Sequence, residues 1–168
     1  MTPFIKKLMM ALGVMGMFVL PVYSQTETSQ EPVEKGSIGL GLELGEPGTW
    51  GALGIIWIDP TFAFQPAVKA DSGGKIILQV DALLHDFGIF PMKASDGALP
   101  LYIGVGFDGL FPSSSQMAVR FPLGISYIFD KAKAPLDFYL QAVPTYWFMD
   151  LGPTGWDLYV EAGSRFYF

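Results

Sequence analysis

The 168-residue chain has no cysteine and one histidine, and only 15% of its residues are charged. Without cysteine there is no disulfide framework, no iron–sulfur cluster and no thiolate zinc site, and one histidine supports no metal centre of its own. A charged share well below the roughly 25% of ordinary soluble domains leaves little material for a hydrated surface. Positive charge is scarcest: 10 basic residues stand against 16 acidic ones, for a net charge of −6 and a pI near 4.6. That balance excludes nucleic acid as a partner. Beyond residue 25 no apolar run approaches the roughly 20 residues of a membrane-spanning helix. What is abundant is apolar and aromatic: 51% hydrophobic and 15% aromatic, with 20 glycines and 13 prolines. Disorder is excluded for most of such a chain, because it carries ample surface to bury.

The N-terminus reads as a targeting segment. Lys6 and Lys7 precede an apolar stretch over residues 8–22, and Val22-Tyr23-Ser24 offers a small-residue cleavage site before Gln25. The pattern predicts a secretory signal peptide over residues 1–24. The stretch is short for the alternative, an uncleaved anchor. Residues 25–36, opening QTETSQEPVEK, predict a flexible polar leader, and residues 37–168 form the remaining domain.

In that domain alternation dominates, with turn residues between the runs. Ile38, Leu40, Leu42 and Leu44 alternate with Gly39, Gly41, Glu43 and Gly45 before a turn at Glu46-Pro47-Gly48. Residues 49–58 are apolar on both faces, so their register is ambiguous. Phe62, Phe64 and Val68 oppose Gln65 and Lys69, and the next turn is 71–74. Ile76, Leu78, Val80, Ala82 and Leu84 oppose Gln79, Asp81 and His85, in a run that extends toward Phe87 and Ile89. Leu101, Ile103, Val105 and Phe107 oppose Tyr102, Gly104, Gly106 and Asp108; a turn at 112–115 follows. Residues 117–129, 136–147 and 156–168 repeat the pattern, separated by turns at 130–135 and 150–155. Eight segments in 132 residues, an average of 16.5 per unit, leave room for the roughly 9–11 residues of a membrane-crossing strand and about six per turn, and predict an all-β, eight-stranded antiparallel up-and-down transmembrane β-barrel.

The second face decides which side is outside. A soluble barrel would show water a face rich in Lys and Glu. This face instead carries Gly39, Gly41, Gly104, Gly106, Gly124 and Gly163, with Glu43, Lys69, Asp81, Asp108, Arg120, Glu161 and Arg165 among them. Small residues and charges of both signs suit a crowded lumen, where a buried charge needs a partner. The apolar face then meets lipid. Tyr127, Phe129, Phe138, Phe166 and Phe168 gather at the rim holding the termini, and Trp50, Phe111, Tyr146, Phe148 and Trp156 at the other, as two interfacial girdles.

The final strand ends Arg165-Phe166-Tyr167-Phe168, with apolar residues at alternate positions back from a terminal Phe. That ending resembles the C-terminal signal of outer-membrane β-barrel proteins, with Phe166 and Phe168 as the residues read by the barrel-assembly machinery. More broadly, the stretches GLGLELGEP (39–47), LPLYIGVG (99–106), VRFPLGISYIF (119–129) and PLDFYLQAVP (135–144) resemble small, largely uncharacterised eight-stranded barrels of Gram-negative bacteria, similar to the OmpX and OmpA barrel domains. The resemblance implies a bacterial outer-membrane location, contact with membrane lipid and lipopolysaccharide, and a monomer. Gln141 stands where such proteins often carry an acid, so no ion pair is expected there.

Within the predicted barrel, Glu43, Asp81, Arg120, Glu161 and Arg165 are expected to form a structural polar network that plugs the lumen. No catalytic, cofactor or metal site is expected, and the role is structural or interactional in the cell envelope. An outer-membrane lipid-modifying enzyme is one alternative, resting on His85 with Asp81 or Asp86; no serine shares its face. A small channel or carrier for apolar solutes is the other. Two features strain the pattern. Pro66, Pro122 and Pro144 fall inside strands and predict bulges or broken ladder bonds. The connection from His85 to Leu99 is the longest, and it falls on the side where such barrels keep turns short.

Overall fold

The computed structural model describes residues 33–45, 48–92, 97–111, 116–130, 134–148 and 154–168. The expected signal peptide and most of the leader lie outside these residues, as do parts of the turns at 46–48, 95–97, 112–115, 130–135 and 150–155. The described residues form nine strands: β1 (Ile38–Gly45), β2 (Thr49–Trp57), β3 (Phe62–Ala70), β4 (Ile76–Asp86), β5 (Leu101–Phe111), β6 (Gln116–Arg120), β7 (Leu123–Ile128), β8 (Leu136–Trp147) and β9 (Gly155–Tyr167). β6 and β7 are two halves of one crossing, since β5 and β8 flank both. Each crossing pairs antiparallel with the next, and β9 returns to pair with β1. The result is the closed, all-β, eight-stranded antiparallel barrel that the alternation predicts.

The faces sort as the inverse of a soluble barrel. On β1, Leu42 is 68% exposed while its neighbour Glu43 is 1% exposed. Ile76, Leu78, Val80 and Leu84 on β4 point outward, and Gln79, Asp81 and His85 point inward. β2 departs from this scheme. Leu53, Ile55 and Trp57 are buried inside although Trp50 and Ile56 are exposed outside, which is why its register was illegible from polarity. Outer-face aromatics cluster at both ends: Tyr127, Phe129 and Phe138 touch in series at 4.8 and 6.0 Å, and Tyr146 lies 5.2 Å from Trp156 at the other.

The pairing fixes the stagger. Gly41 pairs with Leu53, Leu53 with Ala67, Ala67 with Gln79, Gln79 with Asp108, Asp108 with Ala118, Ala118 with Trp147 and Trp147 with Gly155. The β9–β1 register, which sets Gly163 against Glu43, places the level of Gly155 at Gly51, ten residues past the start. Such a stagger in an eight-stranded barrel tilts the strands by about 40° and leaves an interior that side chains fill.

The prolines break ladder bonds without shifting register. β6 and β7 keep one register with β5 and one with β8 on both sides of Phe121-Pro122, so no bulge is present there. Gly104 donates to the Pro122 carbonyl at 2.8 Å and Phe121 to that of Pro144 at 2.9 Å. Neither proline has an N–H for the return bond. At Pro66 the ladder to β2 lapses between the Leu53–Ala67 and Ile56–Phe64 pairs and resumes in register.

Two expectations at the end holding the termini need correction. The fourth strand stops at Asp86 rather than running on through Phe87 and Ile89. Phe87 turns inward instead, its ring 6.5 Å from those of Trp57 and His85. The polar leader is also not exposed throughout. Glu34, Lys35 and Gly36 are exposed, but Val33 is completely buried with Ile55, Trp57, Ala63, Ile128 and Tyr167, and Phe87 and Ala98 pack on the same cluster. Gly36 donates to the Trp57 carbonyl at 2.8 Å and Trp57 to Ser37 at 3.0 Å, which ties the leader's end to β2. Val33→Ala is expected to cost about 1–2 kcal/mol, the transfer of two buried methyl equivalents, measured by urea unfolding in lipid vesicles followed by tryptophan fluorescence. A truly exposed leader would show no change. The next turn is closed by Asp59, whose Oδ1 accepts from the Thr61 and Phe62 N–H groups and the Thr61 hydroxyl at 2.8 Å each. The Thr61 backbone donor first, then its hydroxyl, hold that carboxyl below its ordinary value.

Candidate functional site: the polar interior

The inward-facing polar side chains form two groups. The larger centres on Arg120 from β6. Its Nε lies 3.0 Å from Asp81 on β4, Nη1 3.2 Å from Asp108 on β5, and Nη2 2.6 Å from Glu161 on β9. Nη1 also donates to Gln79 Oε1 at 2.8 Å. Lys69 from β3 bridges Glu161 at 2.6 Å and Glu43 of β1 at 2.5 Å. The expected residues Glu43, Asp81, Arg120 and Glu161 are thus brought together, with Lys69 and Asp108 added. All six are at least nine-tenths buried.

Arg165, the fifth expected member, heads a second group nearer the termini. Its Nε donates to both oxygens of Asp137 at 2.9 and 3.0 Å, and Nη1 donates to Gln65 Oε1 at 2.8 Å across the barrel. Tyr167 donates to Asp137 at 2.5 Å. The guanidinium sits 4.6 Å from the centre of the Tyr139 ring, and the Tyr139 hydroxyl donates to Glu43, which joins the two groups. Gln141, where no ion pair was expected, makes none: its amide donates to Glu161 at 2.6 Å and its oxygen accepts from Tyr102 at 2.8 Å. Asp137 was missed as the partner of Arg165 because it stands one residue inside a strand end, where an acid reads equally well as part of the turn.

Glycine makes these contacts possible through one repeated arrangement. Asp81 and Arg120 both pair with Gly106, from opposite sides, and their ion pair passes over it. A Cβ on Gly106 would strike Asp81 Oδ1. Lys69 and Glu43 flank Gly51 in the same way, Tyr102 and Gln141 flank Gly124, and Tyr139 and Glu43 flank Gly163. At each, a Cβ would collide with the side chain that crosses. Three of the lumen glycines read from the sequence, Gly106, Gly124 and Gly163, are therefore saddles for side chains two strands apart, and Gly51, on the strand whose register polarity leaves open, is a fourth.

His85 is buried against Trp57 at 4.4 Å and Tyr102 at 5.0 Å between ring centres, and neither ring nitrogen hydrogen-bonds among the described residues. Neither Asp81 nor Asp86 pairs with it: Asp81 binds Arg120, and Asp86 accepts from Gly88 at 2.7 Å. Above the charged network, at the end opposite the termini, lies a cavity of about 410 Å³ whose lining includes Lys69, Asp108, Glu161, Trp147 and Tyr159.

Two solved structures share this architecture. A de novo designed transmembrane β-barrel superposes with a TM-score of 0.53 at 14% identity, covering 82% of this chain and 99% of that one. The N-terminal β-barrel domain of Pseudomonas aeruginosa OprF gives a TM-score of 0.53 at 14% identity, covering 81% of this chain and 100% of the domain. The chain has the fold of a transmembrane β-barrel. No protein-family model and no curated protein sequence matches it. The likeness reaches the fold alone, and a fold by itself carries no particular chemistry.

Proposed function

We propose that this protein is an outer-membrane β-barrel of a Gram-negative cell envelope, monomeric, with a lumen closed by its own side chains and a structural or interaction role. The observation that carries the reading is the pairing of an apolar outer face with an interior crossed by Arg120, Lys69 and Arg165, whose acidic partners come from five different strands. Strong charge-assisted bonds that span the interior support a lumen closed to a continuous water path. The signal peptide would bring the chain across the inner membrane. The ending with Phe166 and Phe168 would hand it to the barrel-assembly machinery, and lipid and lipopolysaccharide would then be its immediate partners.

Surroundings favour this over a lipid-modifying enzyme: His85 is wedged among aromatic rings with no acid or hydroxyl bonded to it among the described residues. Planar-bilayer recording is the decisive test. The purified barrel is expected to give no conductance above the bare membrane, while showing heat-modifiable gel mobility and fractionating with outer membranes. Steady single-channel steps would overturn the closed-lumen reading, and a soluble fraction would overturn the membrane one.

A further inference from the structure

The long connection between β4 and β5 is not absorbed by this reading. Its two ends are fixed. Phe87 packs on the buried cluster around Trp57, and Ala98 exchanges two hydrogen bonds of 2.8 Å with Ile128. An Asx-type contact from Gly88 N–H to Asp86 Oδ1 at 2.7 Å turns the chain outward after Phe87. The next four residues, Ile89, Phe90, Pro91 and Met92, are apolar and all exposed; Ile89, Phe90 and Met92 are 43%, 44% and 40% exposed. Those fractions match the outward face of the strands, where Phe64 is 40% and Val80 45% exposed. No charged or hydrogen-bonding side chain occurs from Phe87 to Met92.

We propose that residues 89–92 are a foot seated in the membrane leaflet at the termini end of the barrel, among acyl chains and headgroups. Continuity selects lipid as the occupant. Phe62, Leu84 and Ile103 pair side by side across β3, β4 and β5, and they form the apolar outer edge from which the connection hangs. Leu84 and Ile103 are among the exposed hydrophobics. The tip begins only three residues past the end of β4, within reach of the interfacial zone that flanks the hydrocarbon core by some 5–8 Å on each side.

The inference rests on the membrane-spanning reading, so the test must separate the two. The chain has no cysteine, and single nitroxide labels can therefore be placed through Phe90→Cys, Leu84→Cys and Ser72→Cys without background. The full barrel is reconstituted into vesicles of phosphatidylethanolamine and phosphatidylglycerol, and collision of each label with oxygen and with a water-soluble nickel chelate is measured. Position 72 should favour the nickel chelate and position 84 oxygen. Position 90 is expected to favour oxygen at least several-fold over position 72. Nickel accessibility at 90 equal to that at 72 would place the tip in water and overturn the proposal. So would shielding from both reagents that grows with protein-to-lipid ratio, which would mean a second copy covers the tip. A water-like reading at position 84 would instead overturn the membrane-spanning reading itself.

Discussion

Arg120→Ala is expected to destabilise the barrel by about 3–5 kcal/mol, the range for removing one partner of a buried charge pair. Four carboxylates, from Glu43, Asp81, Asp108 and Glu161, share two cations in the larger group, and Arg120 touches three of them. Its loss leaves Asp81 and Asp108 with no cation and Glu161 with Lys69 alone. Reversible urea unfolding in vesicles, read by tryptophan fluorescence and gel mobility, measures the cost. The physical cause is tested by neutralising the abandoned acids: Arg120→Ala combined with Asp81→Asn and Asp108→Asn should recover a large part of the loss. A triple variant no more stable than Arg120→Ala would mean that lost packing, and not unpaired charge, sets the effect.

A matched pair of glycine substitutions on β2 should move stability in opposite directions. Gly51 lies under the Lys69–Glu43 contact, and a Cβ there would strike the Val68 carbonyl and approach Lys69 Cα to 2.6 Å. Both atoms are backbone of the neighbouring, hydrogen-bonded strand β3, which cannot withdraw as a side-chain tip can. Gly51→Ala is therefore expected at the top of the ~1–3 kcal/mol overpacking range or beyond it. Gly54, three residues on and facing outward, would place its Cβ 3.7 Å from the nearest atoms, an ordinary contact. Gly54→Ala should stabilise the barrel by about 0.5–1 kcal/mol, the entropic advantage of alanine over glycine within a strand. The same unfolding assay reads both. Equal effects at the two positions would show that the saddle geometry does not matter.

The fold was legible because a bilayer-facing barrel imposes a period of two on every strand, and Ile38 through Gly45 displays it without interruption. The candidate network was legible by residue type: charges on a glycine-rich inner face must find one another. Which charge met which was not, because partners such as Arg165 and Gln65 lie across the barrel and are joined only by closure and stagger. β2 concealed its register because its inner residues Leu53, Ile55 and Trp57 belong to an apolar patch of the lumen, where polarity no longer distinguishes inside from outside. Val33 was hidden for a related reason. A lone apolar residue among TETSQEP and EK has no periodicity to betray it, and only the hole it fills gives it meaning. The prolines signalled interruption correctly, but the sequence could not say that the ladder resumes in phase.

The saddles also bear on how the strands find their places. Sliding one strand past its neighbour by a single residue turns its apolar side chains inward and is rejected at once. Sliding by two residues keeps every side chain on its proper face, so hydrophobicity offers no objection. The saddles do object. Moved by two against β2, Glu43 would lie opposite Thr49 or Leu53 in place of Gly51, and its carboxylate would be walled off from Lys69. The glycines thus work as keyways, admitting charged partners only at the correct phase of assembly and discriminating between alignments that the lipid cannot tell apart.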